Sequence, residues 1–379
     1  MKPQTGGPCQ GIRNIIPELI KHGVHNEVVC LDAPDEQYGV QDDFVIHKLG
    51  QSQNPWGYQK DLINWLVNNF NRFDIVVIHG IWLYNSFATV KALKKYKRKN
   101  KKYPMLYLMP HGMLDPYFQK VKERRKKAIR NSIYWFLIEN NVVNSVDGLL
   151  FTCQQELLLA RESFPNYKPK KELNISYGIP EVQKVNNDMS RGLKEKIPQW
   201  NGKPFILFLS RIHQKKGVDL LIKAYLSLQK KHKDLPQLII AGPGLNTNYG
   251  KQMLELARTS SNVLFPGMLK GNCKWAALHH AEIFMLPSHQ ENFGIAVVEA
   301  LASETSVVIT NKVNIFKEIV ASNAGIVCND DLYGVQNALE HWYKMSNIQK
   351  IDLSKNARKV YTDLFTVESA ALRFIETLK

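Results

Sequence analysis

Two carboxylates, Glu291 and Glu299, bracket the turn Asn292-Phe293-Gly294 and the apolar run 295–302, in which Glu299 is the only charge. A carboxylate among side chains suited to a core needs a compensating partner. Glu291 precedes the turn, where the chain is free to face a cleft. The free N–H groups of a helix start near Gly294 and Ile295 suit a phosphate. A ribose diol on the same ligand would then give Glu299 its partner, which is the outline of a nucleotide-sugar site. The plainer reading is that Glu299 pairs with a core Lys or Arg and that Glu291 is an ordinary loop acid.

Upstream, Leu207-Phe-Leu-Ser-Arg211-Ile-His-Gln-Lys-Lys216-Gly reads as a buried strand and a turn carrying two cations, followed by a helix of apolar period. Two cations at the mouth of a cleft can neutralise a diphosphate leaving group. Cations that merely flank a helix start are the alternative, and that suits Lys215 better than Arg211 and Lys216. Gly242-Pro-Gly244 ends another strand in a tight turn, and Thr247 stands where a full G-x-G-x-x-G would need its third Gly. That argues against a dinucleotide dehydrogenase. In the first half, Gly6-Gly7 precedes a helix and would let the backbone approach a phosphate or sugar closely. His79 and His111 each follow a strand and precede a Gly, where a His can hydrogen-bond a sugar hydroxyl, shuttle a proton, or simply serve the structure.

The pattern Glu291-Asn-Phe-Gly-x4-Glu299-Ala resembles the E-x7-E signature of family 4 glycosyltransferases, which are retaining enzymes of the GT-B fold. Arg211 and Lys216 match the R-x4-K-G segment that in this family holds the donor's phosphates. The resemblance implies that Glu299 grips the ribose, that Glu291 with Asn292, Phe293, Gly294 and Ile295 lines the donor, and that Gly242, Gly244, Met268 and Leu269 line the nucleotide pocket. It further implies Gly6 and Gly7 near the donor, His111 facing the donor sugar, and His79 towards the acceptor side. It spans nearly the whole chain. Only Met1 to Thr5 precede Gly6, where the family has a strand, so a central strand of the first sheet is expected to be missing. Glu304 and Ser306 stand where the family favours Gly and Pro. Around Ser176-Tyr177-Gly178-Ile179-Pro180 the family's Asn-Gly-x-Asp is only partly kept, and the segment reads as the approach to a hinge.

The elements that must position these residues alternate as short apolar strands and helical stretches, the pattern of parallel α/β layers. Strands are expected at 27–31, 44–47, 74–79, 105–109, 148–152 and 173–176, and again at 205–209, 237–241, 263–265, 283–286, 307–310 and 325–327. The polar stretch 181–203 reads as a linker. The expected architecture is GT-B: two Rossmann-like, doubly wound domains facing across a cleft, with the ligand outside the carboxyl ends of the strands. The first domain, 1–180, would bind the acceptor and the second, 204–364, the donor, while 365–379 returns as a helix to the first.

A chain of 379 residues, 44% hydrophobic and 22% charged, is natural for two globular domains. Its five cysteines are scattered and form no C-x-x-C pair, which fits a reducing cytoplasm. The net charge of +16 gathers at 91–102 and 120–130, near Tyr117, Phe118, Tyr134, Trp135 and Phe136. Such clusters suit an anionic membrane surface, a nucleic acid, or a merely solvated face. No nucleic-acid fold signature accompanies them, so the membrane ranks first and the protein reads as cytoplasmic or peripheral on the inner membrane face. The expected partners are a nucleotide-sugar donor and a glycan or lipid-linked glycan acceptor. No Asp-x-Asp is present to hold a metal between phosphates, so no cofactor or metal is expected. The rival readings are a non-catalytic polyanion- or membrane-binding α/β protein, which leaves the acidic and basic pairs unexplained, and a GT-B sugar-nucleotide epimerase, which would act without an acceptor.

Overall fold

The computed structural model describes residues 1, 7–38, 42–52, 54–121 and 124–379. The chain forms two compact units, one of residues 1–178 with 367–379 and the other of residues 179–366. The chain changes units twice, between Gly178 and Ile179 and again between Thr366 and Val367.

In the first unit, β1 (Glu27–Cys30) and β2 (Val45–Lys48) form a parallel pair of their own. A separate parallel sheet runs β3-β4-β5-β6, with β3 at Ile75–His79, β4 at Met105–Met109, β5 at Gly148–Phe151 and β6 at Glu172–Asn174. Among the described residues no strand joins the two sheets. The core gathers beneath β4 and β5, where Leu108, Leu149 and Phe151 are fully buried. The helix Val367–Leu378 packs against the helix Gly7–Lys21.

The second unit is built on one six-stranded sheet in the order β12-β11-β10-β7-β8-β9, every pair parallel. Its strands are β7 (Phe205–Leu209), β8 (Leu238–Ala241), β9 (Val263–Gly267), β10 (Ala281–Leu286), β11 (Val307–Thr310) and β12 (Gly325–Cys328). β7, β8 and β11 are buried along their whole length. Helices on both faces of a parallel sheet exclude water from it, so these strands read as continuous apolar runs instead of alternating ones. β7 and β10 lie side by side although β8 and β9 come between them in sequence, so the winding reverses between them. In open parallel sheets ligands bind outside the carboxyl ends of the strands at such a reversal.

The stretch expected to be a linker, 181–203, contains the helix Asn187–Lys196, capped by the Asn186 side chain accepting from the Met189 N–H at 2.9 Å. Met189 and Leu193, one turn apart, are buried, and the helix packs on the helix Gly271–His280 of the same unit. Among the described residues, no helix is long and apolar enough to cross a membrane.

Candidate functional site

The cations Arg211 and Lys216 follow β7 and Glu291 follows β10, so the reversal of the sheet brings them to one end of neighbouring strands. Lys216 is buried, and its ammonium contacts a carboxylate oxygen of Glu291. Burial, then the charges of Lys215 and Arg211, pull Lys216 down to about 7. The touching carboxylate opposes that pull, and at contact distance we take it to keep the pair ionised. Arg211 is exposed. The loops are tied through the backbone: the His289 N–H donates to the Lys215 carbonyl at 2.8 Å, and the Glu291 N–H to the Lys312 carbonyl at 2.9 Å. His289 also meets Asp330 through Nδ1 at 2.9 Å.

Beyond Glu291 the chain turns through Gly294, whose φ of 76° opens the helix Ile295–Ala302. Asn292 and Ile295 are partly exposed there, and Asn292 accepts from the Asn314 amide at 3.4 Å. Phe293 points inward instead, 5.6 Å from the Phe365 ring in an edge contact. It supports the turn from behind. Glu299, one helical turn and more beyond, accepts from Lys274 Nζ at 2.7 Å, so the cation allowed for in the plainer reading is present. Among the described residues no hydrogen bond links this pair to Lys216 and Glu291.

The glycine turn after β8 lies against the Arg211 loop. Ser210 donates its N–H to the Ala241 carbonyl at 3.1 Å and Ile212 to the Pro243 carbonyl at 2.8 Å. Gly242 has a φ of 153°, and a Cβ there would fall 1.8 Å from the Ser210 carbonyl oxygen, so only glycine permits this approach. Gly244 follows in the same turn. After β9, Met268 is exposed and Leu269 buried; the Gly267 carbonyl accepts from the Gly242 N–H at 2.8 Å.

In the first unit, His79 at the end of β3 and His111 after β4 meet, Nδ1 to Nε2 at 2.9 Å, with the rings stacked at 5.2 Å. Burial lowers His79 to about 4, and burial followed by His79 lowers His111 well below the usual imidazole range, so both are neutral near pH 7. The two were expected on different sides of a site; here they form one pair. His111 has a left-handed φ of 51°. Its loop is fixed by the buried carboxylate of Glu156, which accepts from the Gly112 N–H and from the N–H and hydroxyl of Thr152. Gly7 opens the first helix and its carbonyl accepts from the Tyr177 hydroxyl at 2.6 Å. Gly6 lies outside the described residues.

Glu156, Lys274 and His289 with Asp330 had not been singled out in the sequence. A buried Glu four residues past Thr152 was the one signal on offer, since the others depend on helices and loops that only the fold brings together. Among the described residues no three His, Cys, Asp or Glu gather as a metal site would need.

Residues 190–360 match the family described as Glycosyl transferases group 1. The chain is 32% identical over 332 residues to the 2-deoxystreptamine N-acetyl-D-glucosaminyltransferase of Niallia circulans, covering 81% of this chain and 80% of the relative. It is 23% identical over 331 residues to the alpha-monoglucosyldiacylglycerol synthase of Streptococcus pneumoniae, covering 81% and 68%. Among solved structures, the sucrose-phosphate synthase of Thermosynechococcus elongatus superposes with a TM-score of 0.72 at 17% identity, over 98% of this chain and 92% of that one. Anabaena HepE in complex with UDP and glucose gives 0.70 at 15% identity, over 97% and 95%. These likenesses establish the fold as GT-B.

Proposed function

The chain belongs to the group 1 glycosyltransferases, and we propose that it is a retaining, family 4 enzyme that moves a hexosyl group from a nucleoside diphosphate sugar to a sugar hydroxyl. One observation carries the reading. Lys216, in the turn after β7, contacts Glu291 after β10 where the sheet order reverses, and Arg211 opens the same turn, backed by the glycine turn of β8. Binding of UDP and glucose by a structural neighbour supports a nucleotide-sugar donor.

The donor's diphosphate lies against Arg211 and Lys216, its ribose diol on Glu299, its base beside Met268 and Leu269, and its sugar hydroxyls on Glu291. The bond from the anomeric carbon to the diphosphate breaks and the leaving oxygen takes the electron pair, which the two cations stabilise as charge develops. The acceptor oxygen bonds to the same face, and its proton passes to the departing phosphate. Retaining hydrolases use two opposed carboxylates and a covalent intermediate; here both acids belong to the donor side, which favours the same-face route. The resemblance adds His111 of the first unit as the group that supports the oxocarbenium region or donor hydroxyls, and a neutral imidazole does so by hydrogen bonding. His79 and the acceptor complete that assignment. The scattered cysteines, with no C-x-x-C pair, suit a cytoplasmic setting, and surface-polysaccharide assembly on a glycan or lipid-linked glycan is the proposed role.

The sequence has no Asp-x-Asp, so turnover of the matching sugar nucleotide should persist in EDTA, and NMR of the product should show the donor's anomeric configuration kept. An inverted product, or activity abolished by EDTA and restored by a divalent ion, contradicts this mechanism.

A further inference from the structure

The helix Arg125–Tyr134 and the π-helical turn Trp135–Glu139 that continues it carry two apolar faces, where a helix on a domain surface needs one. Ala128 and Trp135 are buried on the inner face. The outer face shows Ile129, Ile133, Phe136 and Leu137 at 57%, 57%, 79% and 68% exposure. Their spacing sets them on one stripe. Elsewhere among the described residues exposed large apolar side chains come singly or in pairs such as Ile348 and Ile351, and none carries four on one stripe.

The same segment is strongly cationic. Residues 124–138 contain five Lys or Arg and no Asp or Glu. Lys126 and Arg130 line a shallow apolar groove together with Ile129, Ile133 and Leu137. The basic helix Tyr84–Lys97 flanks it, with Lys94 Nζ 3.4 Å from Asn141 in the next helix along.

We infer that this segment docks on an anionic phospholipid surface, lying in the plane of the interface. A bilayer takes both features at once: the stripe enters the acyl boundary while the cations reach the lipid phosphates. Two copies of the face would bring like charges together. A single-stranded nucleic acid would meet the cations but stacks on successive aromatic faces, and this stripe offers one, Phe136, among the aliphatic Ile129, Ile133 and Leu137. The inference stands apart from the transferase reading, since vesicle binding needs neither donor nor acceptor.

The test is co-sedimentation of the full chain with vesicles of phosphatidylcholine alone and of phosphatidylcholine mixed with phosphatidylglycerol. Two variants accompany it, Ile129→Ser/Phe136→Ser/Leu137→Ser and Lys126→Glu/Arg130→Glu, whose exposed positions leave the thermal melt unchanged. The wild type should pellet with the mixed vesicles only, and each variant should lose at least about tenfold in partitioning. A wild type that stays in the supernatant, or a serine variant that pellets equally well, overturns the inference. So does a wild-type dimer that the serine variant dissociates without any vesicle binding. Hydrogen exchange on the wild type needs no substitution: peptides covering 125–139 should gain protection on mixed vesicles, and unchanged exchange there also overturns it.

Discussion

Burial and the charges of Lys215 and Arg211 draw the Lys216 ammonium towards about 7, while the Glu291 carboxylate touching it holds its proton on. With Glu291 keeping the ammonium charged, an incoming diphosphate meets a cation on both sides of neutrality. A nucleoside diphosphate sugar, whose phosphates do not titrate there, should bind with similar affinity at about pH 7 and at about pH 8.5 and take up no proton. Calorimetry in buffers of different ionisation enthalpy would register a proton, and uptake on binding, with affinity falling as pH rises, would refute the ionised pair. Arg211 is exposed, so Arg211→Ala should melt like the wild type yet lose roughly 10²-fold in kcat, as when one group that stabilises developing charge is removed. A loss confined to KM would assign it to ground-state binding. At this scale the sequence exposed the charges through their type and spacing. It did not expose their partners: Lys274 reaches Glu299 from a different helix, and His79 meets His111 only because β3 and β4 are neighbours.

Among the elements, the helix Ile295–Ala302 ends where Glu304 takes a left-handed φ of 59°, with the Thr305 N–H donating to the Ala300 carbonyl at 2.9 Å. Glycine adopts that conformation without strain, so Glu304→Gly should stabilise the fold by about 0.5–1 kcal/mol in a urea titration. A second element carries a cost of its own. Glu139, in the π-helical turn Trp135–Glu139, is fully buried, and neither carboxyl oxygen makes a hydrogen bond of normal geometry. Burial pushes it up from 4.5 to about 7, against smaller opposing effects of Ser86 and the Trp82 backbone. The unfolded chain gives up this proton first, so the stability present at acid pH is lost as pH rises through the folded value. Between about pH 5 and pH 8 the loss should be on the order of 2–3 kcal/mol, and Glu139→Gln should flatten it. The strands were legible to within a residue or two because short apolar runs bounded by turns have few other uses in α/β layers. The helix Asn187–Lys196 was not, since its polar composition hid Met189 and Leu193, the two side chains that anchor it.

For the molecule as a whole, alternating strands and helices announced parallel layers, but strand order lies in the crossovers and not in any local pattern. The reversal between β7 and β10 is what turns two charged loops far apart in sequence into neighbours, and among the described residues the separation of the β1–β2 pair from β3–β6 is likewise a matter of the fold. The family resemblance supplied the architecture that periodicity alone left open, and the structural likenesses bear it out. The central claim is a nucleoside diphosphate site in the second unit, and it is tested most directly by thermal shift of the full chain against UDP, GDP, ADP and CMP, alongside Glu299→Ala. One nucleoside diphosphate should raise the melting temperature well above the others, with the gain reduced in Glu299→Ala. A well-folded protein that responds to none of them, or a shift that Glu299→Ala leaves intact, would contradict the account.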